Sequence, residues 1–258
     1  MTEAAGTHDA LVVEARDLCV ARGGVRTCEF ATFDACAGEV VALAAAEVTS
    51  VRDALLAVAG LIAPAEGSLL VAGTELAAHP ARGPLHLRPR LPRGTVGVGV
   101  VGGVCDAVPT ETVEDALVRE FSYWGRPAVA AEEGGEGVVD YLGRFELAGD
   151  IGRLVGSLDP ARCARLSAAL AFVCRPAAAV VDLTDAFMRG LSADDAAAFM
   201  HLLVRIAGTE SAAVLVGTTD ASLAQRADRA FALDIDTAEL LGENGRSAAP
   251  ELRETGVL

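Results

Sequence analysis

Three short, uninterrupted apolar runs constrain the fold of this chain more than any other feature. They are GEVVALAAA at 38–46, AAAVVDL at 177–183 and SAAVLVGTT at 211–219. A strand that is apolar at nearly every position is typical of a sheet buried on both faces. Helical patterns separate these runs, so strands alternate with helices along the chain. The sequence therefore predicts an α/β core.

The first part of the chain predicts strands around one helix. Residues 10–21 mix apolar and charged positions as an edge strand would, and 25–36 alternate as a second strand. Apolar residues at helical spacing predict a helix from Val51 to Ile62, with Asp53 in its first turn and Pro64 ending it. Residues 68–76 predict a strand, a turn and a second strand.

The remaining pattern is mainly helical between about residues 105 and 170. Helices are predicted from near Thr112, from near Gly137, at 161–174, at 192–208 and at 222–227, with a last strand at 231–235. We predict a flexible tail at 1–9, one domain at 10–235 with a helical insertion at about 105–170, and a peripheral extension at 236–258.

The composition excludes several kinds of function. The net charge is −15, which disfavours nucleic acid and charge-driven docking on an anionic membrane. All 21 basic residues are Arg, Gln225 is the single Gln, and there are four His. The six Cys lack a metal-ligand spacing, so we expect buried thiols. There is no signal peptide pattern and no membrane-length apolar run, so we expect a cytoplasmic protein without direct membrane insertion.

Two segments offer alternative interpretations. Residues 80–93 are rich in Pro and Arg, which fits a solvated loop or a loop that binds a partner. Residues Gly97 to Gly102 match the dinucleotide fingerprint GxGxxG. That motif should follow a strand and open a helix, whereas here Pro109 precedes the next helix, so we disfavour a dinucleotide site.

The order of motifs between about residues 10 and 235 resembles the ABC (ATP-binding cassette) ATPases. The matching stretches are AGEVVAL at 37–43, AGLIAPAEGSLLVAGTEL at 59–76, ETVEDAL at 111–117, LDPARCARLSAALAFVCRP at 158–176, VVD at 180–182, GLSADDAAAF at 190–199 and VGTTDASLAQRADRAFAL at 216–233. The resemblance implies a P-loop NTPase-like core with an antiparallel β subdomain and a helical insertion.

In such a cassette a loop of pattern GxxxxGK[ST] holds the phosphates of ATP through its backbone N–H groups and its Lys. The alignment places this loop on AAEVTSVRD, 45–53, where Ala45 and Ser50 stand at the glycine positions. Val51 replaces the Lys and Arg52 the magnesium-binding hydroxyl. We expect a strand, loop and helix with weak residual anion affinity, lowered by Glu47 and Asp53. We expect Arg52 to point elsewhere, as a solvated side chain.

The other positions implied by the resemblance are also altered. The glutamine that senses magnesium and the permease aligns near Gly102 or Gly103, and the LSGGQ signature with 158–162. There Asp159 would aim a carboxylate at the phosphate of a partner's ATP, and Pro160 removes a backbone donor. Leu183 replaces the Glu that orients water, and Thr219 replaces the switch His. Arg22 stands where an aromatic residue stacks on adenine; only Asp182 matches, as the magnesium-associated Asp.

These replacements predict a cassette that is not an enzyme and that binds no cofactor, with ATP and Mg²⁺ held only if residual binding survives. By resemblance its partners are a transmembrane permease, another cassette subunit or a second copy, which would hold it peripherally at the inner face of a membrane. The surface from Gly103 to Glu120 is the expected partner contact. The alternatives are an active, divergent ATPase that uses Arg52 and Asp182, and a soluble interaction protein that reuses the fold.

Overall fold

The chain folds around two sheets with a helix between them. The computed structural model describes residues 10–76, 90–125 and 137–242 and the backbone of 246–247. Much of the 80–93 loop, the predicted tail at 1–9, the acidic stretch at 130–136 and most of the last sixteen residues lie outside the described residues.

The first sheet is antiparallel and has the strand order β2-β1-β4-β5. Its strands are β1 (Leu11–Arg22), β2 (Val25–Cys36), β4 (Glu66–Val71) and β5 (Thr74–Glu75). Strand β1 pairs with β2 on one side and with β4 on the other, with Val13 opposite Val71. The prediction that β1 is an edge strand is therefore wrong. Its charged residues lie on the solvent face of a central strand.

The second sheet is parallel and has the strand order β10-β9-β3-β8-β7-β6. Its strands are β3 (Val40–Ala44), β6 (Val96–Val98), β7 (Ala178–Asp182), β8 (Ala213–Thr218), β9 (Arg229–Ala232) and β10 (Arg246–Ser247). The three apolar runs form β3, β7 and β8, which are buried at every position. The predicted α/β fold is confirmed.

The helices cover both faces of the parallel sheet. They are α1 (Val48–Val58), α2 (Val113–Tyr123), α3 (Val138–Arg144), α4 (Pro160–Phe172), α5 (Ala193–Glu210), α6 (Ala221–Ala224) and α7 (Ile235–Leu241). Helix α1 lies between the two sheets and shares a core with both, whereas α2 to α5 pack on the opposite face. In the described part of the chain no helix combines the length and apolarity needed to cross a membrane.

Helix ends follow local capping chemistry where the sequence supplies it. Thr112 and Ser192 accept N–H bonds at the starts of α2 and α5, as their position before an apolar periodic segment predicts. The expectation of uniformly buried thiols is wrong for Cys105, which is exposed, and Cys36 and Cys174 are half-buried. Burial raises the pKa of the Cys28 thiol to about 12 and that of Cys163 to about 11.

Two of the three glycines of the GxGxxG match serve helix packing. A Cβ on Gly97 would lie 1.7 Å from the carbonyl oxygen of Ala171, and one on Gly99 would lie 2.4 Å from Ser167 Oγ. Helix α4 therefore packs directly on β6. The next helix, α2, begins only at Val113, which agrees with rejecting a dinucleotide site.

We predict that Gly97→Ala destabilises the protein by about 1–3 kcal/mol, because the added methyl forces α4 away from β6. Gly143→Ala is the matched control, since nothing lies within 4 Å of the Cβ it would add. That change should be neutral or stabilise by about 0.5–1 kcal/mol through helix propensity. Urea unfolding followed by circular dichroism measures both, and equal effects would refute close packing at Gly97.

Candidate functional site

The candidate site lies at the carboxyl ends of the parallel strands β3, β7 and β8, where α1 begins. This is the edge at which open α/β sheets bind ligands. The structure places Arg52 of the aligned 45–53 segment next to Asp182, and the start of the segment next to the end of β8. Ala45 N–H, for example, donates to the carbonyl oxygen of Thr218 over 3.4 Å.

The connection from β3 to α1 is too short to be a phosphate loop. Strand β3 ends at Ala44 and α1 begins at Val48, so three residues join them. The N–H groups of Ser50 and Val51 already donate to the carbonyl oxygen of Glu47. The predicted helix at 51–62 therefore begins three residues earlier and ends at Val58. Without the glycines that a phosphate loop needs, residues 48–50 form a helical turn.

This earlier start also corrects the expectation that Asp53 lies in the first turn of the helix. The first turn of α1 contains no acidic residue, and Asp53 lies at its sixth position with a buried side chain. The helix N-terminus is at Glu47, whose side chain makes no capping bond. An exposed carboxylate at that end disfavours a bound anion.

Val51, at the position of the phosphate-binding Lys, belongs to the core. Its side chain is fully buried, and a Cβ on Gly217 would lie 2.4 Å from Val51 Cγ1. Gly217 therefore provides the space in β8 that Val51 fills. A lysine ammonium in this space would be removed from water, which is costly without a paired anion.

Arg52 bridges two buried carboxylates. Its Nε donates to Asp182 Oδ2 over 2.8 Å and a terminal nitrogen donates to Asp185 Oδ2 over 2.8 Å. The Arg52 side chain is 24% exposed, whereas those of Asp182 and Asp185 are 0% and 5% exposed. The expectation that Arg52 points to solvent is wrong. Ionised buried carboxylates require a cation, and Arg52 is within reach of both.

The Arg52 guanidinium stays charged in this position. Burial by itself lowers its pKa, but the hydrogen bond that Arg52 donates to Asp182 and the charges of Asp182, Asp185 and Asp53 raise the pKa above its usual value. A planar guanidinium carries donors in a fixed fork, so one side chain can serve two acceptors. The position aligned with the magnesium ligand thus contributes a cation of the chain's own.

Asp185 was not predicted from the sequence, yet it connects three segments. Besides Arg52, its carboxylate accepts the N–H of Gly102 over 2.8 Å and the N–H of Phe187 over 2.9 Å. Asp182 has its second oxygen occupied by the backbone N–H of Thr184, 3.0 Å away, and by that residue's hydroxyl. The available signal was a second Asp three residues beyond a buried strand that already ends in Asp.

Arg22 and Asp53 form a second ion pair that joins the antiparallel sheet to α1. An Arg22 terminal nitrogen lies 2.9 Å from Asp53 Oδ1, and the Thr27 hydroxyl donates to Asp53 Oδ2 over 2.7 Å. This contact is an ion pair and not a hydrogen bond, because Asp53 Oδ1 accepts no hydrogen bond with suitable angles. The Arg22 side chain is 55% exposed, so the expectation of a solvated Arg holds, and the same side chain also pairs with Asp53.

The carboxylate of Asp234 occupies a backbone donor of the 45–53 segment. Asp234 Oδ2 accepts the N–H of Ala46 over 2.7 Å, while Asp234 Oδ1 accepts the N–H of Thr237 at the start of α7. One side chain therefore caps α7 and binds the connection after β3. A phosphate-binding segment keeps such N–H groups open for the ligand.

Asp159 directs its carboxylate to its own helix. It is the N-cap of α4, accepts the N–H of Arg162 over 2.9 Å and pairs with the Arg162 guanidinium, while Pro160 occupies the first turn. The expectation that this carboxylate aims at a partner's phosphate is therefore wrong. The backbone bond from Arg162 and, to a lesser extent, its charge hold the pKa of Asp159 below its usual value despite partial burial.

The last three aligned positions are Leu183, Thr219 and Gly103. Half-buried Leu183 and exposed Thr219 line a cleft of about 270 Å³ beside Val48. Gly103 is exposed with φ +76°, and its N–H donates to Asp106 Oδ1 over 2.9 Å. Within the described ranges, no cluster of three or more His, Cys, Asp or Glu could hold a metal ion.

Solved structures resemble this architecture over most of the chain. An ATP-binding protein of a putative ABC transporter from Pyrococcus furiosus is 18% identical, with a TM-score of 0.59, over 81% of this chain and 91% of its own. The cbiO1 protein of Clostridium perfringens, part of the cbiONQ ABC transporter complex, is 14% identical with a TM-score of 0.62, over 86% and 84%. The dimeric cassette MJ0796 with ADP and Pi bound is 17% identical with a TM-score of 0.63, over 86% and 94%.

The chain has the fold of an ATP-binding cassette. The predicted resemblance is thereby confirmed for the fold. No protein-family model matches the sequence, and no curated protein matches it.

The cassette has a larger groove on the side of α2. It measures about 600 Å³ and lies between α2, β6 and residues 91–94. Part of the Gly103–Glu120 surface forms its wall, through Val104, Cys105, Asp106, Arg119 and Glu120. At one end the Arg93 guanidinium lies over the rings of Tyr123 and Trp124, 4.8 and 5.2 Å from their centroids.

We predict that Arg52→Ala destabilises the cassette by about 3 kcal/mol or more, because it leaves two buried carboxylates without a cation. Arg16→Ala is the control, since it breaks an exposed pair with Glu14 and should cost at most about 1 kcal/mol. Adding Asp182→Asn and Asp185→Asn to the Arg52 variant should recover part of the loss. Urea unfolding of the four proteins measures this, and equal losses for Arg52→Ala and Arg16→Ala would contradict the buried bridge.

We predict that Asp159→Ala costs about 1 kcal/mol at pH 7, through loss of the α4 cap. Because the folded pKa of Asp159 lies below its usual 3.8, its contribution is present above 3.8 and disappears as the pH falls through the folded value. Unfolding free energies from pH 7 to pH 2 test this. Asp194→Ala removes an exposed first-turn carboxylate from α5 without removing a cap, so a pH-dependent loss of the same size there would contradict the assignment.

Proposed function

We propose that this cassette is a non-catalytic, pseudo-ATPase subunit that serves as a structural or regulatory partner of a permease or of an intact cassette. The observation that carries the proposal is the Arg52 bridge to Asp182 and Asp185. It places a fixed cation of the chain where an ATPase would hold magnesium and phosphate. Nothing in the geometry then requires a nucleotide to balance the charges at this edge of the sheet.

The backbone supports the same proposal. ATP binding in a cassette depends on N–H groups that converge on phosphate from a glycine-lined loop. Here that segment is a three-residue connection, a helical turn and an amide already bonded to Asp234. Losing one charge-assisted contact costs about 1.5–3 kcal/mol, and several are absent together.

The side chains that would support ATP hydrolysis are also replaced at the aligned positions. Leu183 follows Asp182, and its side chain cannot accept a proton from water. Thr219 stands at the switch position, and the single Gln of the chain, Gln225, donates to the carbonyl oxygen of Leu241, far from Asp182 in sequence. A subunit without these groups contributes through its shape and its surface.

The partner side of the proposal rests on the fold and the groove. The neighbour cbiO1 is part of a transporter complex, and MJ0796 forms a dimer. The groove of about 600 Å³ includes part of the surface expected to contact a partner. We therefore infer a peripheral membrane association through a permease or a cassette subunit.

Calorimetric titration with Mg-ATP at millimolar concentration tests the proposal, together with phosphate release over hours. We expect neither heat of binding nor turnover from the purified chain. Turnover that disappears in a folded Asp182→Asn variant would establish the divergent-ATPase alternative. The cassette MJ0796, which has been seen with ADP and Pi bound, serves as the positive control under the same conditions.

Affinity purification of the tagged chain from its native cell, with mass spectrometry, tests the partner. We expect recovery of a protein with membrane-spanning helices or of a cassette with an intact GxxxxGK[ST] loop. Recovery of soluble proteins alone would favour the interaction-protein alternative.

A further inference from the structure

One segment of the chain, residues 99–106, contacts the ion cluster formed by Arg52, Asp182 and Asp185 and also lines the groove of about 600 Å³. This segment begins where β6 ends and leads towards α2. Its first amides are anchored to the core, since Gly99 N–H donates to the carbonyl oxygen of Val180 over 3.0 Å and Val100 N–H to Ser167 Oγ over 2.9 Å. These two hydrogen bonds fix the first two residues of the segment.

The middle of the segment is held by Asp185. Gly102 N–H donates to Asp185 Oδ2 over 2.8 Å, and the same oxygen accepts from Arg52. Beyond Gly102, Val101 and Cys105 exchange backbone hydrogen bonds of 3.1 and 2.8 Å around a tight turn at Gly103. The Asp185 carboxylate is therefore the contact between this turn and the ion cluster.

Residues on both sides of this turn form one wall of the groove. Val100, Val104, Cys105 and Asp106 all line it. The position of this wall therefore depends on the turn that Asp185 holds. Asp185 in turn shares the Arg52 guanidinium with Asp182, which is fully buried on β7.

We propose that Arg52 is a positioning residue which, through Asp185 and the Gly102 amide, fixes residues 99–106 and thereby holds the groove in one conformation without nucleotide. The inference rests on the proposed function, because it makes Arg52 a permanent internal substitute for a ligand that could come and go. Removal of the guanidinium leaves Asp182 and Asp185 as adjacent unpaired carboxylates. Repulsion and hydration then draw Asp185 away from Gly102, and the turn loses its anchor.

Hydrogen exchange of the full chain without nucleotide tests the proposal. In Arg52→Ala we expect amides of 99–106 to exchange at least tenfold faster, since local opening sets their rate. Amides of the buried α4 segment 160–172 report the loss of global stability in the same experiment, so the effect at 99–106 is read from the amides that exchange through local opening, with an opening free energy below the global value. Arg22→Ala is the matched control, because it also removes an Arg paired with a buried Asp yet has no bond to residues 99–106.

Alkylation of Cys105 provides a second readout. This thiol is exposed in the groove, and burial of part of its surface together with Glu120 and Asp106 raises its pKa. We expect the extent of modification, measured on the Cys105 peptide, to change at least twofold in Arg52→Ala and to stay unchanged in Arg22→Ala. The two readouts together report on the wall of the groove rather than on overall stability.

Unchanged exchange at 99–106 in Arg52→Ala, or an equal increase in Arg22→Ala, would overturn the proposal. If Arg52→Ala does not fold, Arg52→Lys is compared with Arg22→Lys in the same way. Lysine lacks the planar guanidinium that can donate to two carboxylates at once. Faster amide exchange at 99–106 is therefore expected in Arg52→Lys and not in Arg22→Lys. Nucleotide is absent throughout, so Mg-ATP binding by the wild type would refute the proposed function while leaving this test readable.

Discussion

The structure depends at one edge of its parallel sheet on a single guanidinium between two buried carboxylates. Asp182 ends β7 with no exposed surface, and Asp185 is nearly as buried. Two such charges close together are tolerated only with a cation and hydrogen bonds, and Arg52 supplies both. A cation that arrived with a ligand would leave the edge unstable whenever the ligand departed. With Arg52 on α1, the charge balance is part of the folded chain.

The same principle recurs at the other positions that the resemblance assigns to ATP. Asp53 pairs with Arg22, the amide of Ala46 is bonded to Asp234, and Asp159 caps its own helix. In each case a group that would face a ligand has an intramolecular partner. A fold can thus keep its architecture while its ligand site is rebuilt as internal structure, because function resides in sites and not in the scaffold.

Most of the fold could be predicted from the sequence, because its signals are local. The apolar runs that became β3, β7 and β8 and the cap residues Thr112 and Ser192 each act over a few neighbours. The place of β1 could not be predicted, since its pairing with β4 joins residues nearly sixty positions apart. An alternation of apolar and charged residues shows only that one face of a strand meets solvent, and this is true of edge strands and of central strands alike.

The candidate site was predicted less well because its contacts are not local. Arg52 and Asp182 are 130 positions apart, and the sequence does not indicate that β7 ends beside the first turns of α1. The helical angle from Val51 to Arg52 gives the relative directions of the two side chains but not their surroundings. Placing Val51 against Gly217 turns Val51 into the core, and the next residue then faces the sheet edge. Arg52 is therefore directed to the carboxylates by the same packing that buries Val51.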